Sequence, residues 1–409
     1  MNAFAIPRIL FAVLLTALAG CASDRYLAHS GHSAMRAKNF ESAANAFEKE
    51  SQTSSTNQLL FLLDRGSALF SAGQYDEAAK VFLKAEDIAE IKDYTSISEE
   101  VGILATSSNV KGYKGEDFEK VLINVYLALC FSAQGKVESA QVEARKINLI
   151  LGKMIREGKR NYEESPFARY LSGILWEMNG SYNDAYIDYK KTYEMDPEFP
   201  EIGRDLLATS KKIRFHDEYR KWSEIFAQET PRSFQRGEGE LIVVFERGLG
   251  PVKVPRGYNA TLPRFVPRFS PEGFARLTVN EQVVGSTENV LDIETLSIRY
   301  LEDRIARMTA AKVAGIAVKG AIAAGVGKAT ESEDLGWVVF HILQATDRVD
   351  LRSWRSLPGS LQMLRVPMRS GVHQVKIEVM GHDGHSVLFE KDFGEIEVKA
   401  GKKRFLLAR

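Results

Sequence analysis

Three stretches of this 409-residue chain carry residue types whose spacing invites a chemical reading. The first, "AAKVAGIAVKGAIAAGVGKAT" from Ala310 to Thr330, has the glycines and lysines of a phosphate-binding loop. Such a loop needs a glycine, four residues, then Gly-Lys-Ser/Thr, so that backbone N–H groups cradle the phosphates and the hydroxyl meets the metal. Counted back from Gly327 and Lys328, the glycine position holds Ile322 and the hydroxyl position holds Ala329. The pattern fails twice. Lys312, Lys319 and Lys328 also interrupt it as a membrane span, which takes about 20 apolar residues. What remains is a helix with a small-residue face, Ala317, Ala321 and Gly325, suited to close packing. The second stretch, "GHDGHS", places His382, Asp383 and His385 together, yet in a turn between strands it reads as a polar hairpin tip. No H-E-x-x-H, G-x-S-x-G or paired-cysteine spacing accompanies it. The sequence therefore points away from an enzyme, a metal or a cofactor.

The third stretch is "RGLGPVKVPRGYNATLPRFVPRFSPEGFAR", Arg247 to Arg276. Prolines at 251, 255, 263, 267 and 271 favour extended backbone over helix. Arg247, Lys253, Arg256, Arg264, Arg268 and Arg276 oppose only Glu272, and Tyr258, Phe265, Phe269 and Phe274 interleave with them. Guanidinium groups suit phosphate and carboxylate, and aromatic faces suit sugar rings or apolar peptides. Arg256, Tyr258, Arg264, Phe265, Arg268 and Phe269 are the candidate binding residues here.

The N-terminus is an address. Arg8 precedes an apolar run, Ile9 to Gly20, too short to span a bilayer. The run ends in Leu18-Ala19-Gly20-Cys21, which resembles the lipobox of bacterial lipoproteins. That resemblance implies cleavage after residue 20, acylation of Cys21 and, with Ala22 and Ser23 following, export to the outer membrane, facing the periplasm. Lys+Arg and Asp+Glu balance at 54 each, so nothing favours bulk nucleic-acid binding. Cys130, the only other cysteine, lies in the apolar run "VYLALCFSA" and reads as a buried structural thiol.

Residues 21–230 show internal repeats. Gly66, Gly73, Tyr75, Ala78, Phe82 and Ala85 recur as Gly173, Gly180, Tyr182, Ala185 and Tyr189. Ala128, Gly135 and Ala140 mark a third copy, and Gly31, Phe40, Ala43 and Phe47 a weaker first one. These positions resemble the small and bulky signature residues of tetratricopeptide repeats. Ala43 and Ala78 are 35 residues apart, whereas Ala78 to Ala140 is 62, which places an insertion near residues 91–117 with "TSISEE" as loop. The segment around Trp222 caps the stack. Such stacks present a concave groove for protein segments.

A polar linker over 231–239 leads into a strand-rich half, 240–409. "ELIVVFE" suits a buried strand, "ARLTVNEQVV" another, and Val375, Ile377 and Val379 alternate with polar residues. "VLFE" and two strands around Ala400-Gly401 follow. The expected fold is α+β multidomain: a tetratricopeptide-like solenoid, then a small antiparallel sandwich interrupted by an Ala/Gly-rich helical insertion at about 292–346. Asp350, Arg352, Trp354, Leu357 and Pro358, then Arg365, Pro367 and Gly371, resemble an uncharacterised family of bacterial envelope lipoproteins. No catalytic activity comes with that resemblance. Trp354 reads as a core anchor, with ligand contact as the competing role. The functional expectation is a scaffold that takes envelope proteins in its groove and reaches the membrane through its anchor. A module binding cell-wall glycan or anionic lipid is the competing reading, and a hydrolase whose carboxylate acid/base pair sits in no recognisable motif is the third.

Overall fold

The computed structural model describes residue 26 and residues 29–53, 55–99, 112–156, 165–232, 237–256, 262–302 and 349–409, with single positions between 304 and 337. The segment 1–20 expected to be a signal, Cys21, Tyr258 and most of the insertion at 292–346, including Ala317 and Ala321, lie outside the described residues.

The first half is built from helix hairpins: α1 (Ser30–Arg36) with α2 (Phe40–Gln52), α3 (Gln58–Ser71) with α4 (Tyr75–Glu99), and α5 (Asp117–Ala133) with α6 (Val137–Arg156). Two more follow, α7 (Pro166–Met178) with α8 (Tyr182–Met195) and α9 (Ile202–Lys212) with α10 (His216–Ile225). Every hairpin turns through three residues, and the middle one always has positive φ: Lys38, Gly73, Gly135, Gly180 and Arg214. Glycine adopts that conformation without strain, which explains three of the five.

The spacing inside each hairpin is equally regular. Gly31, Gly66 and Gly173 face Phe47, Phe82 and Tyr189, each sixteen residues later, and a Cβ at any of these glycines would lie 2.5 Å from the ring. Only glycine lets the helices approach so closely. In the third hairpin the same two positions are Ala128 and Ala144, both fully buried, so small meets small. Trp222 of α10 is buried at the far end of the stack. The expected loop "TSISEE" is corrected in part, because α4 stays helical through Glu99.

The second half contains β1 (Glu238–Arg247), β2 (Val252–Arg256), β3 (Leu262–Val266), β4 (Glu272–Val279), β5 (Gln282–Ser286), β6 (Glu288–Asp292), β7 (Ser360–Arg369), β8 (Gly371–Gly381), β9 (Val387–Val398) and β10 (Lys403–Ala408). They form sheets of order β10-β1-β7-β6 and β5-β4-β8-β9, plus the β2–β3 hairpin. The expected all-antiparallel sandwich is corrected here: β10 leaves the second sheet and runs parallel to β1 in the first. "ARLTVNEQVV" is not one strand. Asn280 and Glu281 both have positive φ and make a two-residue turn between β4 and β5, a role usually filled by Asn-Gly. "VLFE" and "GEIEV" join into the single strand β9.

The run "ELIVVFE" is buried on both faces because β1 sits in a middle layer. Leu241, Val243 and Phe245 pack toward the second sheet with Leu277, Val379 and Leu406. Ile242 and Val244 join Phe405, Leu407 and Met363 in the core of the helical stack. Helices, first sheet and second sheet are thus three layers, and the two halves share one core. Residues 293–302 are helical, and no described helix is long and apolar enough to cross a membrane. Among the described residues, nothing lies within 4 Å of a Cβ built at Gly325.

Gly66→Ala should force the Phe82 ring aside and lower stability by about 1–3 kcal/mol in urea denaturation, with Phe82→Leu restoring part of it. Unchanged stability would mean that α3 and α4 are not in this close register.

Candidate functional site

The most elaborate polar chemistry in the described residues lies between the two halves. It follows from strand register. On β1, residues 240, 242, 244 and 246 share a face, so the apolar pair Ile242 and Val244 is bracketed by Glu240 and Glu246. Register aligns Lys403, Glu240 and Pro367 in one cross-strand row and Phe405, Ile242 and Arg365 in the next. That face meets the first helices of the hairpins, which is why α3, α5 and α7 are buried around most of their circumference.

At the α7–α9 end, the Arg365 guanidinium is 1% exposed and fully surrounded. It donates to Asp205 Oδ2 at 2.9 Å, Glu177 Oε2 at 2.9 Å and Glu240 Oε1 at 2.8 Å. Tyr170 Oη is 3.1 Å away and itself donates to Asp205. Arg232 donates to Asp205 Oδ1 at 2.7 Å and also binds Glu201, while Lys403 bridges Glu177 and Glu240. Burial alone would raise the carboxyl pKa values. The adjacent charges prevail, Arg232 and Arg365 at Asp205 and Arg365 and Lys403 at Glu240, and hold both below the ordinary range. The stretch expected as a linker, 231–239, therefore delivers Arg232 into the network and begins β1 at Glu238.

At the other end, residues 350–358 cross α3 and α5 as an irregular segment held through its backbone. Trp354 N donates to Glu119 Oε1 at 2.8 Å, and Ser356 N to Asp64 Oδ1 at 3.0 Å. The Tyr26 hydroxyl sits between Asp64 and the Ser353 carbonyl, at 2.8 and 2.7 Å. The Trp354 ring is 3% exposed, lies against Phe82 and Tyr126 with centroids 5.8 and 5.4 Å away, and donates from Nε1 to Ser67. Arg352 reaches Asn57 and pairs with Asp350, and Lys253 reaches Glu116. Glu246 accepts from Tyr126 and Ser71 midway. The inner face expected to receive a partner thus holds the chain's own segment, in contacts of the kind that a bound peptide makes.

The candidate binding residues separate into different environments. Arg256 and Arg264 point outward on the β2–β3 hairpin, while Phe265, on its opposite face, is buried beside Lys253. Arg256, Arg264 and Phe265 border a cavity of about 280 Å³ with Ile298 and Leu301. Arg268 turns inward to the carbonyls of Gly250 and Arg355, and Phe269 is 91% exposed. Trp354 is a core anchor rather than a surface contact. Asp383 accepts from Ser386 and the His385 N–H, which makes "GHDGHS" a self-capped turn, and no cluster of three or more potential metal ligands occurs among the described residues. Cys130 is buried, and burial raises its pKa far above the usual thiol value.

Sequence reading missed Asp64, Glu119, Asp205 and Glu240. A signal was present: Asp64 and Glu119 are lone acids on the apolar faces of "QLLFLLDRGSALFS" and "DFEKVLINVYLALC".

No known protein-family model matches the chain, and no curated protein does. Among solved structures it is similar to MamA of AMB-1, with 13% identity over 50% of this chain and 92% of that one, TM-score 0.32. A tetratricopeptide repeat protein from Parabacteroides merdae is similar at 15% identity over 52% of this chain and 68% of that, TM-score 0.34. A Podosopora anserina putative kinesin light chain with TPR-like repeats gives 13% identity, 49% and 92% coverage and TM-score 0.34.

Burial, then the Glu116 charge, pushes Glu119 up from 4.5 to about 7 against three donated hydrogen bonds. A carboxyl raised on folding stabilises the protein fully below about pH 4.5 and loses that contribution as pH rises through 7. Stability should therefore fall more steeply between pH 5 and 8 in the wild type than in Glu119→Gln, measured by denaturant midpoints. Parallel curves would place Glu119 in an ordinary environment.

Proposed function

We propose that this chain is a periplasm-facing outer-membrane lipoprotein, anchored through Cys21, that acts as a protein-interaction scaffold in an envelope assembly. Leu18 to Cys21 supports the anchor. With the inner helical face engaged by the second half, the partner surface falls on the outer face of the second helices. The observation that carries this is a recurrence of exposed apolar side chains on one face of the second helices. Val142 and Ile187 are each the sixth residue of their helix, Leu83 the ninth, Ile225 the tenth and Leu149 the thirteenth. Those places follow the i, i+3, i+4, i+7 spacing of one helix face, and all five residues are between 37% and 67% exposed. One exposed leucine needs no explanation; here each of four second helices carries at least one exposed apolar side chain at these places, among charged neighbours such as Lys80, Lys146 and Lys190, and that recurrence supports an interaction face.

In-cell photo-crosslinking from Leu149 should capture the same envelope protein repeatedly. Val142→Asp with Ile187→Asp should abolish that capture with an unchanged melting curve, while Cys21→Ser should remove the protein from the outer-membrane fraction. Capture that survives the double substitution would refute the outer face as the partner surface. Outer-membrane fractionation that survives Cys21→Ser in a strain lacking the captured partner would refute the anchor.

A further inference from the structure

Phe269 is the most exposed large apolar side chain among the described residues, at 91%. Its neighbours make it more than a stray surface residue. Pro267, Phe269 and Pro271 all point outward, while the alternate residues 268, 270 and 272 are held inward. Arg268 donates to the Gly250 and Arg355 carbonyls, the latter at 2.7 Å. Ser270 donates to Glu272, and Glu272 pairs with Lys38 Nζ at 2.9 Å. Two prolines and three pinned side chains fix the loop, so the ring stands in water without the freedom to tuck away.

The position of this tip relative to the start of the described chain gives it a use. Met35, Arg36 and Lys38 of the first hairpin border the same hollow, of about 290 Å³, as Arg268 and Phe269. The Tyr26 hydroxyl touches the Ser353 carbonyl, and Arg268 holds the Arg355 carbonyl two residues further along the same segment. The buried Tyr26 and the exposed tip therefore share one support. Cys21 precedes Tyr26 by only five residues, at most about 18 Å of extended chain.

We propose that Pro267, Phe269 and Pro271 form a wedge that enters the lipid leaflet holding the Cys21 anchor, with the exposed Arg36 beside the anionic headgroups. The inference rests on the lipid-anchor reading. A short tether keeps the body within reach of the bilayer, and an exposed aromatic tip with a cation, Arg36, beside it suits the interface between headgroups and acyl chains. Anchor and wedge together give the body two points of attachment, and hence an orientation that a single tether lacks.

The test uses the full-length protein extracted from membranes, with Phe269→Cys carrying a nitroxide. Cys130 is buried and Cys21 is blocked by its lipid, so the label goes to position 269. Intact mass first reports acylation. In phosphatidylethanolamine–phosphatidylglycerol vesicles, the label at 269 should gain collisions with oxygen and lose several-fold in collisions with a water-soluble nickel chelate. A label at Ile187→Cys should do neither. Nickel access at 269 equal to that at 187 in acylated protein overturns the wedge and leaves the anchor standing. Missing acyl mass overturns the anchor and the wedge with it. Shielding of 269 that appears only when envelope proteins are added assigns the tip to a protein partner and also overturns the wedge.

Discussion

A guanidinium in a protein interior needs its charge and its N–H groups matched, and at Arg365 the matching carboxylates come from both halves of the chain. Glu240 is its neighbour in the sheet, whereas Asp205 and Glu177 belong to the helical stack. Desolvating these ions is expensive, several kcal/mol for each, so the network is a poor source of net stability. Its effect is on register. A shift of β7 by one residue would turn Arg365 toward the apolar layer of Val243 and Leu277, away from Asp205, Glu177 and Glu240. Burial of Ile242, Val244, Phe405, Leu407 and Met363 supplies the attraction between sheet and helices. The charges decide the one arrangement in which that burial is permitted.

The docking changes what a helical repeat stack can do. A free inner face would recruit a partner segment; here Trp354 and the backbone of residues 353–356 use the donors and acceptors of α3 and α5. An external peptide would have to displace a covalently attached competitor, whose effective concentration is high. That is why the proposed partner surface lies on the outer face of the second helices. The close approach of Tyr26 to Ser353 also ties the start of the described stack to the segment whose Arg355 carbonyl holds Arg268, next to Phe269.

The repeat was legible because its rules are local. Gly66 with Phe82 and Gly173 with Tyr189 obey a fixed spacing, and the positive-φ turns recur at Gly73, Gly135 and Gly180. Strand β1 was legible as a continuous apolar run, and Val375 to Val379 as an alternating one. What stayed hidden depends on residues far apart in sequence. The parallel pairing of β1 with β10 joins positions about 160 residues apart by their numbering, and no local pattern specifies it. The Asn280–Glu281 turn lacks the glycine that would have announced it. The basic-aromatic stretch looked like one surface, but strand alternation sent Arg264 outward and Phe265 inward. Asp64, Glu119 and Glu240 were visible as acids on apolar faces; their partners were not.

The measurement that bears most directly on the docked arrangement is a double-mutant cycle between α9 and β7, using Asp205→Asn, Arg365→Met and the pair together. Residues that share a buried ion pair across the two halves should show a coupling of about 1–3 kcal/mol in denaturant unfolding, since each single change leaves the other charge stranded. Additive effects within about 0.5 kcal/mol would contradict it, and would mean that the sheet does not sit on the inner face of the stack.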